Sequence, residues 1–173
     1  MKKMKAEDIS EKIFKDFDMM ETFEHSKRVK EICIEISNEL DIEKTVNIEK
    51  SACLHDVGKV IKVKGHDHND KKVVKKVFKM YEYSDDELKD IIEIISCHRG
   101  DFKPPKGLRQ ESAILRLADK LDKFDKAIGS YKKTIKKIKK RPPDSIHKLE
   151  KICIAYMKEK ILELEKDLKS ELE

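Results

Sequence analysis

The sequence predicts an all-α fold, a single bundle of about seven helices that ends in a long C-terminal helix. Three observations point there. Glycine and proline number five and four in 173 residues, so little interrupts a helix. Apolar residues recur at steps of three and four almost throughout, while alternation at a period of two is rare. Apolar residues make up 38% of the chain, enough for a packed core and too many for a disordered chain. A chain of this length fits one domain, residues 1–173, with a sizeable core.

Residues 7–19 read as a short amphipathic piece with Ile9, Ile13, Phe14 and Phe17 on one side. Thr22 is placed to cap a helix running to about Leu40. Its stripe of His25, Val29, Ile32, Cys33, Ile36 and Leu40 puts His25 on the buried face. A third helix, from about Thr45, carries Ala52, Cys53 and Leu54 into His55-Asp56 and ends near Gly58. Residues 60–68 read as a loop, after which Asn69 opens a basic helix holding Val73, Val74, Val77, Phe78 and Tyr81. Ser84 to Glu87 has the Ser-x-x-Glu form of a capping box. The helix it opens packs Leu88, Ile91, Ile92 and Ile95 and reaches His98 near its end. Pro104, Pro105 and Gly107 mark a second loop. A helix from 110 to about 128 follows, with Ile114, Leu117, Ala118 and Leu121 on one face and Asp119 beside it. Pro142-Pro143 breaks the chain again, and Asp144 or Ser145 caps a last helix through Ile152, Tyr156, Ile161, Leu164 and Leu168. That extension, about 144–172, would be roughly 40 Å long at about 1.5 Å per residue. Its Leu162, Leu164, Leu168 and Leu172 suit either packing across its own domain or pairing with a second subunit, and a homodimer is the expectation.

Charged residues make up 43% of the chain, 40 basic against 35 acidic, and most lysines alternate with glutamates as on a solvated helix surface. The exception is Lys132 to Arg141, with seven basic residues in ten and no acid, which could attract an anionic partner. It has no interleaved aromatics, and the chain has no Trp, so a stacking platform for single strands is not expected. No apolar run approaches the roughly 18 residues of a membrane span. The basic N-terminus has no apolar stretch behind it, unlike a secretory signal. Cys33, Cys53, Cys97 and Cys153 form no CxxC pair and read as reduced residues of a cytoplasmic protein.

The chemistry gathers around His55 and Asp56 in LHDVGK. His25 lies 30 residues before the pair's histidine, and Asp119 lies 63 residues after its aspartate. All four fall in or beside apolar helical patterns that point inward. Burying two carboxylates without cations or donors costs several kcal/mol. A divalent ion offsets that cost for all four together, holding the carboxylates ionised and the imidazoles neutral. Mixed imidazole and carboxylate ligands suit Mn, Fe, Co, Ni or Zn better than Mg. No glycine-rich phosphate loop, GxSxG elbow or Cys-His arrangement competes. The segment HDHND lacks the glycine and distal glutamate of a calcium loop.

His25, then His55-Asp56, then a distant Asp119 resembles the HD-domain phosphohydrolase superfamily over residues 20–128, and HDVGK resembles its HDIG branch. The resemblance implies an HD-type helical bundle and metal-dependent hydrolysis of a phosphate ester or anhydride by metal-activated water. The expected substrate is a nucleotide or small phosphorylated metabolite. Several members of that branch build a second metal position from extra histidines. Here His68 (or His66) and His98 are the candidates, with Asp56 between the two ions. Cys97-His98 stands where many relatives carry paired histidines. An alternative is that His68 and His98 contact the substrate phosphate. Lys59, one helical turn past His55, is the candidate catalytic and phosphate-holding cation, with Arg28, Lys120 and Lys123 as further phosphate-binding candidates. Asp122 reads as a structural carboxylate or the partner of one of these lysines, and His147 as a surface residue. Two other readings stand beside the phosphohydrolase. One is a phosphodiesterase or nuclease on RNA or a cyclic or dinucleotide, and the other a non-catalytic metal- or nucleotide-binding module.

Overall fold

The computed structural model describes residues 3–43, 46–61, 66–96 and 106–123, together with 144, 148, 149, 151–156 and 158. The side chains of His66, Asp67, His68, Lys106 and Lys123 lie outside that description. So do Cys97, His98, the basic run 132–141, His147 and the chain beyond 158, and with them the long C-terminal helix and its proposed dimer face.

The chain is all-α. Helix α1 spans Ala6–Asp16, α2 Met20–Glu39, α3 Val46–Leu54, α4 His66–Met80, α5 Asp85–Ser96 and α6 Arg109–Lys123. Short 3-10 turns occupy Val57–Val60 and Lys106–Leu108. Residues 148–149 and 151–156 are helical, and no strand occurs among the described residues.

Three helix ends share one device. Asp18, Asp41 and Glu82 have positive φ of 55°, 51° and 62°. In each case the next N–H reaches back five residues: Met19 to Phe14 O, Ile42 to Ser37 O and Tyr83 to Phe78 O. This is the left-handed closure that satisfies the last carbonyls of a helix, and an apolar residue just past it packs back on the final turn. Phe78 and Tyr83 show that packing directly, edge to face at 4.8 Å. Phe17 falls in the first of these turns and is 59% exposed, so it does not share the buried side of α1 with Ile9, Ile13 and Phe14.

Two starts depart from expectation. Helix α2 begins at Met20, with no side-chain cap, so Thr22 already lies in its first turn. Helix α4 begins at His66 rather than Asn69, which shortens the expected loop. The capping box of α5 forms as the sequence indicates: Glu87 N–H donates to Ser84 Oγ at 3.2 Å and Ser84 N–H to Glu87 Oε2 at 2.8 Å. Lys3 Nζ also bonds both Glu87 carboxylate oxygens, at 2.7 and 2.8 Å. Lys3 first, then the Ser84 donors, hold that carboxyl down at about 2.

Two apolar clusters meet along α3. One joins α2, α3 and α6 through Val29, Ile36, Ile48, Ala52, Ile114 and Leu117, and takes in Leu149, Ile152 and Cys153. The other joins α1, α4 and α5 through Ile9, Phe14, Leu54, Val74, Phe78 and Ile91. Residues 51–58 are buried without a break, so the chain turns from α3 into the 3-10 segment inside the molecule. That buried turn carries His55 and Asp56.

Candidate metal centre

His25 lies in the second turn of α2, on the stripe that continues through Val29 and Ile32 into the core. His55 and Asp56 form the turn that ends α3, and Asp119 lies on α6. One ligand-type atom from each of the four lies within 4.8 Å of the others. His25 Nε2 is 2.9 Å from Asp119 Oδ1 and 3.4 Å from Asp56 Oδ2. His55 Nε2 is 3.3 Å from the same Asp119 oxygen and 3.4 Å from the same Asp56 oxygen. The two rings meet edge to face with centroids 5.3 Å apart.

The donor set fits a divalent ion. Nitrogen and oxygen ligands about 2.0–2.2 Å from one ion lie roughly 3–3.6 Å from their neighbours, the spacing seen here. The proton positions agree. His55 Nδ1 lies 2.7 Å from the carbonyl oxygen of Ala52, and His25 Nδ1 lies 2.5 Å from Asp122 Oδ2. Neither partner oxygen carries a hydrogen when Asp122 is ionised, so each Nδ1 is the donor and each Nε2 turns inward. An inward Nε2 facing carboxylate oxygens needs either a proton or a cation between them. At His55, in the protein without an ion, the proton serves. Burial by itself lowers the His55 pKa, but the Asp56 charge, then the hydrogen bond and charge of Asp119, carry it up to about 9.

The surrounding residues hold this cluster in place. Lys59 Nζ lies 3.0 Å from Asp56 Oδ2, with its side chain 17% exposed. It is thus beside the cluster and leans on the central carboxylate. Arg28 forks onto Asp122, Nε to Oδ1 at 2.8 Å and one terminal nitrogen to Oδ2 at 3.2 Å. Asp122 therefore pairs with an arginine and a histidine on α2. Burial raises the Asp122 carboxyl, but the hydrogen bonds from His25 and Arg28 outweigh it and hold the group at about 2. Lys120 is half-buried on α6, and the Lys123 side chain lies outside the described residues. His68 is on the first turn of α4, but its side chain lies outside the described residues, and His98 lies outside them altogether.

Asp70, which no sequence motif marks, also supports the site. It is fully buried in α4, and its Oδ1 accepts the Gly58 N–H at 2.5 Å, which pins the 3-10 turn that follows Asp56. A signal existed: Asp70 precedes Val73 and Val74 at steps of three and four, so it shares their inward face. The three described cysteines, Cys33, Cys53 and Cys153, are free and buried. Burial pushes the Cys53 thiol up to about 12, far from a nucleophile's range.

No helix among the described residues is long and apolar enough to cross a membrane. Neither a curated protein nor a solved structure matches the chain. The family model of the HD domain matches residues 22–124, a span that contains all four converging residues. HD domains are in general metal-dependent phosphohydrolases, and a buried His, His-Asp, Asp cluster able to hold a divalent ion is what such chemistry requires. The chain belongs to the HD domain family.

Proposed function

We propose that this protein hydrolyses a phosphate ester or anhydride of a nucleotide or small phosphorylated metabolite, using a divalent transition metal held by His25, His55, Asp56 and Asp119. The observation that carries the reading is the convergence of those four side chains from three separate places in the fold. A bound Mn, Fe, Co, Ni or Zn ion would supply a water of lowered pKa and neutralise charge on the phosphoryl oxygens. The protein's part is to present two neutral imidazoles through Nε2 and to keep Asp56 ionised in a fully buried position. Lys59, whose Nζ is 3.0 Å from Asp56 Oδ2, would share its charge between that carboxylate and a phosphate oxygen. His68 and His98 remain our candidates for a second, weaker metal position. Residues 1–173 are taken as one domain, because Leu149, Ile152 and Cys153 join the same core as α2 and α6. The buried free thiols suit the cytoplasm.

The test is to load metal-free protein with Mn, Fe, Co, Ni or Zn in turn. Each form is then assayed on nucleotides, p-nitrophenyl phosphate and bis-p-nitrophenyl phosphate. Asp56→Ala should lose more than tenfold in activity while keeping its helical circular dichroism. Retention of more than a tenth of the activity would show that Asp56 is not a central ligand. Full metal binding with no hydrolysis of any substrate would favour a non-catalytic module.

A second reading, a phosphodiesterase or nuclease, draws on one observation. Lys71, Lys72, Lys75, Lys76 and Lys79 are all exposed on α4, the helix that follows the His-Asp turn. Each phosphate they neutralise releases counterions, so steeply salt-dependent binding of an oligonucleotide would favour this reading.

A further inference from the structure

We infer that Asp122, clamped by Arg28, is a positioning residue that fixes the tautomer and aim of His25, so that Arg28 serves the metal site rather than the substrate phosphate. This rests on the reading of His25 as a ligand. Its geometric origin is the crossing of α2 and α6. His25 and Arg28 are three residues apart on one helix, and Asp119 and Asp122 are three apart on the other. Residues three apart share a helix face, so two successive turns meet in register. The first turn pairs His25 with Asp119, and the next pairs Arg28 with Asp122.

The two ligand histidines are held differently. His55 Nδ1 is fixed by a backbone carbonyl, Ala52, which no substitution removes. His25 Nδ1 depends on a side chain, Asp122 Oδ2. That carboxylate is itself fixed, since both of its oxygens receive nitrogens of Arg28 and its side chain is only 5% exposed. A two-point fork defines the plane of the carboxylate, which a single ammonium does not. The plane of Asp122 in turn sets the ring of His25, and the ring sets where Nε2 points. Arg28 is half exposed, at 50%, so the rival role of substrate-phosphate binder has to be separated by experiment.

The measurement is isothermal titration of the metal-free, full-length protein with Mn, followed by titration of the Mn-loaded protein with inorganic phosphate. Asp122→Asn should bind Mn about 10–100-fold more weakly, the usual loss when a carboxylate behind a ligand histidine is removed. Asp122→Glu should recover part of the loss. Arg28→Lys keeps the charge and loses the fork, on a side chain whose change leaves the core intact. It should weaken Mn binding by a smaller factor, with phosphate affinity at saturating Mn unchanged. The proposal is overturned if Asp122→Asn and Arg28→Lys both bind Mn within twofold of the parent while His25→Ala loses it. It is equally overturned if Arg28→Lys leaves Mn affinity intact and weakens phosphate binding. His25→Ala binding Mn as tightly as the parent would overturn the reading of the site itself, and the positioning role with it.

Discussion

At the scale of single residues, the cluster sets a competition between a proton and a metal. His55 in the metal-free protein titrates at about 9, against 6.5 for a free imidazole. A histidine raised in this way stabilises the fold fully below about 6.5 and loses that contribution as pH rises through 9. The metal-free protein should therefore lose thermal stability between pH 6.5 and 9. Metal binding at pH 7 must expel that proton, so Mn affinity should rise with pH over the same window. Isothermal titration in buffers of different ionisation enthalpy should show proton release near pH 7, and a heat independent of buffer would contradict it. Asp122 acts at the other end of the scale. Its carboxyl is lowered to about 2, so its contribution is present above about 4 and is lost as pH falls through 2.

At the scale of elements, the helix ends carry information that a count of glycines conceals. The three left-handed closures are made by Asp18, Asp41 and Glu82, none of them glycine. A residue with a side chain is disfavoured there by about 1–2 kcal/mol relative to glycine, least for aspartate, whose short polar chain bonds locally. Glu82→Gly should therefore raise stability in a denaturant titration by up to about 1 kcal/mol, and a loss of stability would mean that the Glu82 side chain has a role of its own. Ser84→Ala removes one half of the α5 capping box and should cost about 0.5–2 kcal/mol. Asp70→Ala is of another kind. It deprives the buried Gly58 N–H of its acceptor, and a hydrogen bond to a charged group is worth about 1.5–3 kcal/mol. Because that bond holds the turn next to Asp56, the variant should lose metal affinity as well as stability. Unchanged Mn binding in a folded Asp70→Ala protein would limit Asp70 to stability.

At the scale of the molecule, the ligands belong to α2, to the turn after α3 and to α6, so one ion would tie together elements that also meet through apolar packing and, between α2 and α6, through the Arg28–Asp122 fork. An ion that binds the folded chain alone stabilises it by about 2.7 kcal/mol at a concentration of 100 Kd. Chelator-treated protein should accordingly melt at a lower temperature than Mn-loaded protein, and Asp119→Ala should erase the difference. Leu149, Ile152 and Cys153 pack into the same core. Ile152 is 7% exposed within the α2–α6 cluster, and Ile152→Ala should cost about 2–5 kcal/mol, as for other large-to-small core changes. A cost below about 0.5 kcal/mol would detach that segment from the core.

The sequence by itself determined the helical class, the inward stripes, the capping box at Ser84 and the candidate quartet of His25, His55, Asp56 and Asp119. Each of these depends on neighbours within a turn or two, or on a motif whose members are named by residue type. Only the tertiary structure decided who meets whom across long stretches of chain. Arg28 and Asp122 are 94 residues apart in sequence, and nothing local distinguishes an arginine aimed at a carboxylate from one aimed at substrate. Asp70 reads as one polar residue in a charged segment until α4 packs on the turn at Gly58 and leaves a buried N–H in need of an acceptor. The left-handed closures after α1, α2 and α4 were hidden for a similar reason, although the end of α2 near Leu40 was legible. A left-handed residue there is tolerated because the following apolar side chain finds a core to enter, and that core exists only once the helices are assembled.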